Sequence, residues 1–171
     1  MSSLRIYRID TKYVRYLSKV DSNVQDNKDA KRPYVGIVLT VGSYRYFVPM
    51  ESPKANHKSF SSSVHIMPID NGTRGLLGFN NMIPVPSCAL ITFDINDLED
   101  KKYAALLRRQ ASFINKHKSE VYHRASRTYY LATSPEATEQ SCFFKRICCD
   151  FKKLEQKCDR YDPNFWSKNR K

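Results

Sequence analysis

The sequence lacks the long apolar segments that anchor proteins in membranes or direct them out of the cell. No stretch approaches the roughly 20 apolar residues of a membrane-spanning helix, and the opening sequence MSSLRIYRID has no signal-peptide core. The five cysteines are an odd number without a CxxC pair, which argues against a disulfide framework and a zinc ribbon. We therefore expect a soluble, cytoplasmic protein with reduced thiols, three of them on one helix.

Common catalytic motifs are also missing. The sequence has no GxSxG, no Walker loop, no HExxH and no carboxylate pair at metal-binding spacing in a promising loop, so it predicts no metal and no cofactor. Cleavage of RNA needs none of these, because RNA carries its own nucleophile, the 2'-hydroxyl. A protein has only to orient that group, neutralise charge on the phosphorane and move protons.

Positive charge and aromatic rings are abundant. The formal net charge is +12, from 29 Lys and Arg against 17 Asp and Glu, and the chain has 11 Tyr, 9 Phe and 1 Trp. Cations attract polyanions, and rings beside cations suit unstacked bases better than a closed duplex. Nucleic acid is thus the leading partner. A cationic membrane-binding helix is disfavoured because the basic residues are spread along the chain.

The size and the pattern of short strands favour one α+β domain over residues 1–171. A strand at residues 4–9 leads into a helix capped by Asp10 or Thr11, and a polar stretch, 21–30, reads as a mobile surface loop. The runs at 34–41 and 44–50 flank Gly42-Ser43 and predict a tight hairpin. Further strands are expected near 64–69 and within 82–93, and short strands with long polar loops suggest a partly closed antiparallel β-barrel.

The second half changes to a helical period. From about Asn96 the apolar residues predict one long helix or a kinked pair, which Ser134-Pro135 ends, and residues 137–158 predict one more helix. The last thirteen residues, including Trp166, resemble a tail. Eight Lys or Arg and a single acid lie between Lys101 and Arg127. Their surface is either a solvated helix face or one that contacts RNA.

Two segments meet at one end of the predicted hairpin and offer candidate catalytic residues. Lys31-Arg32-Pro33-Tyr34 enters the hairpin where Glu51-Ser52-Pro53-Lys54 leaves it. Ser52 can donate to a phosphate oxygen, while Arg32 and Lys54 can hold developing negative charge. Histidine is a common proton-transfer residue in enzymes, so His57 is a candidate for that role, although a structural role is equally compatible with the sequence. On its own this is a weak signal, because a basic loop with Ser and Pro is more often only a loop.

At these residues the sequence resembles the ToxN/AbiQ family, the protein half of type III toxin-antitoxin systems. The matching blocks are residues 9–17 (IDTKYVRYL), 32–39 (RPYVGIVL), 46–50 (YFVPM) running into Ser52-Pro53-Lys54 with His57 shortly after, and 83–86 (IPVP) before the helix around 103–114. The resemblance covers about residues 4–133. The Ser-Pro-Lys motif is short, so the specificity lies in the order and spacing of all the blocks.

The resemblance implies a barrel core like that of the Kid and MazF ribonucleases, decorated with helices. It implies an endoribonuclease toxin that works without metal, leaves a 2',3'-cyclic phosphate and acts on cellular and phage RNA in abortive infection. It also implies an antitoxin RNA of tandem pseudoknot repeats, which the toxin trims and then binds in a closed ring of alternating protein and RNA.

Carried over by position, Ser52 and Lys54 match the family's functional Ser-Pro-Lys, and Tyr13 matches the aromatic residue of the first helix. Arg32 stands where a basic residue, often Lys, is expected, and an arginine holds phosphate but seldom shuttles protons. Glu51 is either a general base or a solvated acid. The residues expected to contact RNA are Tyr13, Lys31, Tyr34, Lys58, Arg108, Arg109, Lys116 and Lys118.

Two other functions are compatible with the composition. A noncatalytic RNA-binding module would need the same charge and rings, and an adaptor for acidic proteins would need the charge alone. Loss of cleavage on replacing Ser52, Lys54 or Arg32 separates the enzyme from the module. Steep loss of affinity with salt separates an RNA binder from the adaptor.

Overall fold

A computed structural model of the chain describes residues 3–59 and 61–164 and has an α+β architecture. An antiparallel sheet is flanked by helices that come mainly from the second half of the chain. The strands are β1 (Arg5–Ile9), β2 (Tyr34–Val41), β3 (Tyr44–Glu51), β4 (Ile66–Pro68), β5 (Leu76–Gly78), β6 (Ile83–Pro84) and β7 (Leu90–Ile91). The helices are α1 (Thr11–Ser18), α2 (Lys101–Lys116), α3 (Lys118–Thr133), α4 (Glu139–Ile147) and α5 (Phe151–Asp159).

The predicted hairpin is confirmed as β2 and β3, the centre of the sheet. Gly42 adopts φ +57° at the turn, a conformation that glycine reaches without a Cβ penalty. Pairing runs from Val41 opposite Tyr44 to Tyr34 opposite Pro49. The predicted first strand and the helix capped by Asp10 are also confirmed, since the Asp10 side chain accepts a hydrogen bond from Lys12 N.

The sheet is open in the described part of the chain, so the expected partly closed barrel is not confirmed. The strand order is β4-β5-β3-β2-β1-β7, and β6 pairs with β3 beside β5. The two end strands, β4 and β7, do not pair with each other within residues 3–59 and 61–164. Helices cover the sheet, as α3 packs on β2 and α5 packs on β6.

The long helical segment is a pair, α2 and α3, separated at His117, whose φ of −109° leaves the helical region. The prediction of one helix over 137–158 is wrong, because the chain breaks after Ile147. In the break, Cys149 N donates to Asn80 O and Asp150 N donates to Asp21 Oδ2, at 2.8 and 2.6 Å. Asp150 then caps α5. The cysteines are free, but three of them do not share a helix.

The polar stretch 21–30 is fastened to the core. Val24 and Asn27 are buried, and Asn27 Nδ2 donates to Ile9 O at 2.8 Å. Because of these contacts, the segment packs against the core and is not the loose surface loop that the sequence predicted. No helix in the described residues is long and apolar enough to cross a membrane. The predicted tail with Trp166 lies outside the described residues, apart from its start.

Candidate active site at the end of the hairpin

The hairpin brings the two basic segments together, as the sequence predicts. Met50 N donates to Pro33 O at 2.9 Å, so the residues before β2 lie beside those after β3. Arg32 is held at this junction, because its Nε donates to Asp26 O at 2.7 Å and its Nη1 to Met50 O at 3.4 Å. In the described part of the chain, no protein group accepts from Arg32 Nη2, which leaves that donor for a ligand.

A cavity of about 750 Å³ opens at this junction, with Ser52 and Met50 on one wall. Its cationic lining is Arg8, Lys28, Lys31 and Arg32. The amino-terminal end of α2 closes the other side with Glu99, Asp100 and Tyr103. Four cations face two carboxylates, so the cavity has a positive balance suited to a phosphodiester.

Two polar groups on the α2 side of the cavity, Asp100 and Tyr103, differ in what they can offer a ligand. The Asp100 carboxylate accepts from Lys102 N and Tyr103 N, both at 3.0 Å, and so caps the helix. Burial raises the pKa of the Tyr103 phenol, although the nearby charge of Arg8 acts in the opposite direction. The phenol therefore stays protonated at neutral pH and can donate a hydrogen bond within the cavity.

Glu51, Lys54 and His57 face a second, smaller cavity of about 220 Å³. Successive residues of a strand point to opposite faces, so Glu51 lies on the other side of the strand end from Met50 and Ser52. The predicted catalytic cluster is thus divided between two adjoining cavities. Arg32 links them, because its charge acts on the Glu51 carboxylate while its side chain lines the larger cavity.

The Glu51 carboxylate is the centre of a small network. Its Oε2 accepts from Lys54 Nζ at 3.2 Å and lies 3.7 Å from His57 Nε2, and its Oε1 accepts from Gln25 Nε2 at 3.4 Å. Burial would raise the pKa of Glu51, but hydrogen bonds from Lys54 and Gln25 and the charges of Lys54 and Arg32 lower it overall. Its side chain is 22% exposed, so Glu51 is not the freely solvated acid of one interpretation.

Two glycines allow a neighbouring turn to press against this loop. A Cβ on Gly75, whose φ is +94°, would lie 1.9 Å from Glu51 O, and one on Gly72 would lie 2.2 Å from His57 O. The turn is fixed from the other side by Gln110 of α2, whose Nε2 donates to Arg74 O at 2.6 Å. The loop carrying Ser52 and Lys54 is therefore supported by backbone contact.

Three predicted roles do not fit this geometry. The side chains of Tyr13 and Tyr34 are 0% and 1% exposed, and Tyr13 donates to Pro84 O at 2.6 Å, so neither ring can stack on a base and these two RNA contacts are wrong. His57 is 2% exposed and lies behind Glu51. This burial contradicts direct proton transfer from His57 to a leaving group.

The other predicted RNA contacts lie on the surface. Lys31 lines the larger cavity and Lys58 is exposed on a 3₁₀-helix, Ala55–Ser59. Arg108, Arg109 and Lys116 are exposed along α2, and the half-buried Lys118 begins α3. Lys116 lies about 20 Å along the helix from Tyr103 at the cavity, from the helical rise of about 1.5 Å per residue. Apart from Lys31, these residues do not line either cavity.

Several residues that the structure places in the site were not predicted. Arg8 and Lys28 contribute charge, Tyr103 a phenol, and Gln25 a contact to Glu51. Only Lys28 carried a signal, as the cation nearest Lys31 in the same loop. In the described residues, no group of three His, Cys, Asp or Glu side chains is placed to hold a metal ion.

Comparison with known proteins places these features in a family context. Residues 5–159 match the family model described as "Toxin ToxN, type III toxin-antitoxin system". The chain is 35% identical to endoribonuclease ToxN of Bacillus thuringiensis subsp. kurstaki, across 97% of this chain and 88% of that protein. It is 28% identical to endoribonuclease AbiQ of Lactococcus lactis subsp. lactis, across 93% of this chain and 90% of that protein.

Solved structures share the fold. One, from work on "selective toxin inhibition by a non-coding RNA pseudoknot", superposes with a TM-score of 0.83 at 32% identity, covering 94% of this chain and 98% of that one. A second, described as AbiQ, "a lactococcal anti-phage endoribonuclease", gives a TM-score of 0.78 at 24% identity, covering 98% of this chain and all of that one, 100%. At that identity the second likeness concerns the fold alone.

Proposed function

The chain belongs to the ToxN family of toxins of type III toxin-antitoxin systems, and we propose that it cleaves RNA at a phosphate held between Arg32 and Ser52. It is an endoribonuclease, like its curated relatives. The observation that carries the assignment of the site is the junction of the hairpin ends, where Ser52 and Arg32 share a cationic cavity next to Lys54.

The reaction is an in-line attack of the 2'-hydroxyl on the adjacent phosphorus. The O2'–P bond forms and the P–O5' bond breaks, which leaves a 2',3'-cyclic phosphate and a 5'-hydroxyl. The 2'-hydroxyl loses its proton to solvent water, and the departing 5'-oxygen gains one from the Lys54 ammonium, which solvent then reprotonates. The dianionic phosphorane is the species that the site has to stabilise, and fixed donors in a partly enclosed cavity do this best.

Each side chain has a role that follows from its contacts. Arg32 donates to a non-bridging oxygen, since its guanidinium is held in place by Asp26 O and Met50 O. Ser52 donates a second hydrogen bond from the same wall. The Lys54 ammonium supplies positive charge and the proton for the departing 5'-oxygen. Glu51 orients this ammonium through their 3.2 Å contact. His57 is a positioning residue that supports Glu51 from the buried side.

These cations replace the metal ion that many nucleases use to neutralise the phosphorane. The two linings hold five cations and three carboxylates, so their balance of two positive charges matches the two-fold negative charge of the phosphorane; the cations are Arg8, Lys28, Lys31, Arg32 and Lys54. We therefore propose that cleavage proceeds without a metal cofactor.

The experiment that tests the site compares single-turnover cleavage by the wild type, Ser52→Ala and Lys54→Ala. Ser126→Ala is the matched control, because Ser126 is exposed on α3 and far along the chain from the loop. We expect losses of about 10²–10³ in rate for each site variant, as for removal of one transition-state donor. A site variant as active as Ser126→Ala would place the active site elsewhere.

The family relationship also supplies a partner. The neighbour with a TM-score of 0.83 is described with inhibition by a non-coding RNA pseudoknot, and we propose that a pseudoknot RNA of tandem repeats, trimmed by this enzyme, inhibits it in a closed ring in the cytoplasm. The net charge of +12 and the exposed cations along α2 support this partner, because binding releases counterions from the RNA. Cellular and phage RNAs are the proposed substrates of the free enzyme.

We also propose that the sheet resembles the barrel core of Kid and MazF. The support is the central strand β3, which pairs with β2 on one edge and with both β5 and β6 on the other. The register of β2 against β3 also shifts between Gly36 and Leu39, and an irregularity of this kind bends a strand. Closure into a barrel needs a sheet that departs from flatness in this way.

A further inference from the structure

The smaller cavity contains space and lining residues that take no part in the proposed cleavage of the phosphodiester. Its volume is about 220 Å³, below the roughly 300–1,000 Å³ typical of pockets for drug-sized ligands, so it suits one flat ring system. Ile66, Leu76 and Gly78 provide apolar walls, and Asn56, Asn80 and Asn81 provide amides. Apolar faces with amide edges are typical of sites for unstacked bases.

Two amide oxygens of this lining converge on one point. A Cβ built on Gly78 would lie 3.5 Å from both Asn80 Oδ1 and Asn81 Oδ1. The orientation of each amide is set by its nitrogen, because Asn80 Nδ2 donates to Ile147 O at 3.3 Å and Asn81 Nδ2 donates to Asn23 O at 2.8 Å. Flipping either amide would place its oxygen against the carbonyl oxygen of Ile147 or Asn23.

The half-buried amides of Asn80 and Asn81 offer acceptors to a ligand, whereas the donors in the lining belong to the exposed side chains of Lys54 and Asn56. Asn81 Oδ1 accepts from Gln25 Nε2 at 3.0 Å, which leaves one of its lone pairs. In the described residues, no protein donor reaches Asn80 Oδ1. The Glu51 carboxylate, ionised because its pKa is lowered, adds further acceptor capacity at the same wall. An amino group has two N–H bonds and can donate to both amide oxygens at once, whereas a carbonyl oxygen at the same point can accept from neither.

We propose that this cavity binds the base next to the scissile phosphate and selects bases that carry an exocyclic amino group, with Asn80 and Asn81 as specificity-determining residues. The inference rests on the proposed active site, because Lys54 and Glu51 border the cavity. Adenine, cytosine and guanine each carry an amino donor, whereas the corresponding groups of uracil are acceptors. Uracil has a single donor on that edge, the ring N3–H, so it would leave at least one of the two amide oxygens facing a carbonyl oxygen.

The test maps cleavage sites of the wild type and Gly78→Ala in a randomised RNA, by sequencing the fragments. At Gly78 an added methyl would make ordinary contacts of 3.5 Å and would occupy the point between the two amide oxygens. For the wild type we expect uracil at one position flanking the cut to be depleted about tenfold or more. For Gly78→Ala we expect that depletion to shrink and kcat/KM on the preferred base to fall about 10–200-fold, as for one extra methylene in a pocket.

Equal use of all four bases beside the cut by the wild type would overturn the proposal, and so would unchanged discrimination in a folded Gly78→Ala enzyme. Asn80→Ala, which removes one of the two amide oxygens, gives a second measurement of the discrimination against uracil if Gly78→Ala lowers the melting temperature. Failure of the active-site assignment is distinguishable, because Ser52→Ala would then still cleave.

Discussion

The carboxylate of Glu51 and the ammonium of Lys54 form an ion pair of 3.2 Å within the loop that follows the central hairpin. The Lys54 side chain is 59% exposed, so solvent screens the pair and its contribution to stability is small. Its consequence is geometric. Glu51 is itself fixed by Gln25 and backed by His57, and the contact therefore limits where the Lys54 ammonium can lie.

Neutralising Glu51 should reduce catalysis without abolishing it. In Glu51→Gln the amide oxygen still accepts from Lys54 but loses its charge, so we expect kcat to fall about tenfold, from the energy of a charged hydrogen bond. Lys54→Ala should lower the rate by about 10²–10³. Single-turnover rates test both, with Lys153→Ala, an exposed lysine on α5, as the control. A Glu51→Gln enzyme slower than Lys54→Ala would assign the proton acceptor to Glu51.

The same substitution has a defined effect on the pH dependence of stability. The folded protein lowers the pKa of Glu51, so the ionised carboxylate stabilises the fold above its unfolded pKa of about 4.3 and this contribution is lost as pH falls through the lower, folded pKa. We expect the free energy of unfolding of the wild type to exceed that of Glu51→Gln at pH 7. Denaturant titrations should show the gap narrowing below about pH 4.3. A gap that is constant down to about pH 2 would contradict this network of interactions around Glu51.

A positioning role for His57 predicts a specific kinetic signature. Because the ring is 2% exposed and 3.7 Å from Glu51 Oε2, His57→Gln should lower kcat several-fold and leave the shape of the pH–rate profile unchanged. The profile is the informative measurement, since a general acid shapes the alkaline limb. Disappearance of that limb in the variant would restore His57 as a proton donor.

The glycine packed behind the loop should be essential. Gly75→Ala would place a Cβ 1.9 Å from Glu51 O at φ +94°, whereas Gly42→Ala, at φ +57°, would meet nothing within 4 Å. Both variants carry the left-handed penalty of about 1–2 kcal/mol, but only Gly75→Ala adds a clash. We expect Gly75→Ala to be the less stable of the two in urea and the less active at temperatures where both are folded. Equal stability and activity would show that the loop can move aside freely.

The exposed cations of α2 should act through the RNA backbone. Replacing Arg109 and Lys116 by alanine should weaken binding of a long RNA, because each side chain neutralises phosphate charge. The slope of log affinity against log salt should become shallower by about one for every phosphate that the variant no longer neutralises. Affinity measured between low and moderate salt tests this. An unchanged slope would indicate that this face is only solvated.

Local patterns predicted the elements that local physics controls. The hairpin follows from two β-branched runs and Gly42, and the start of α1 follows from Asp10, because these signals act within a few residues. The short strand β5 (Leu76–Gly78) was missed, since three residues give no readable alternation. The break at residues 148–150 was missed because its hydrogen bonds reach Asn80 and Asp21, which are distant in sequence.

The sequence predicted which residues belong to the candidate site better than it predicted how they are arranged. Antiparallel pairing brought Arg32 and Ser52 to one place, as expected. Because side chains alternate along β3, Glu51 lies on the opposite side from Ser52. Tyr13 and His57 are buried in the core. Whether a ring belongs to the core or touches a ligand depends on what packs over it, and a single sequence does not carry that information.

The central claim is that Ser52, Arg32 and Lys54 cleave RNA without a metal ion. The most direct measurement incubates the purified wild type and Ser52→Ala with a long transcript in EDTA and determines the end groups of the fragments. The account predicts cleavage by the wild type only, with 2',3'-cyclic phosphate and 5'-hydroxyl ends. Wild-type cleavage that requires a divalent cation, or that leaves 5'-phosphate ends, would contradict it.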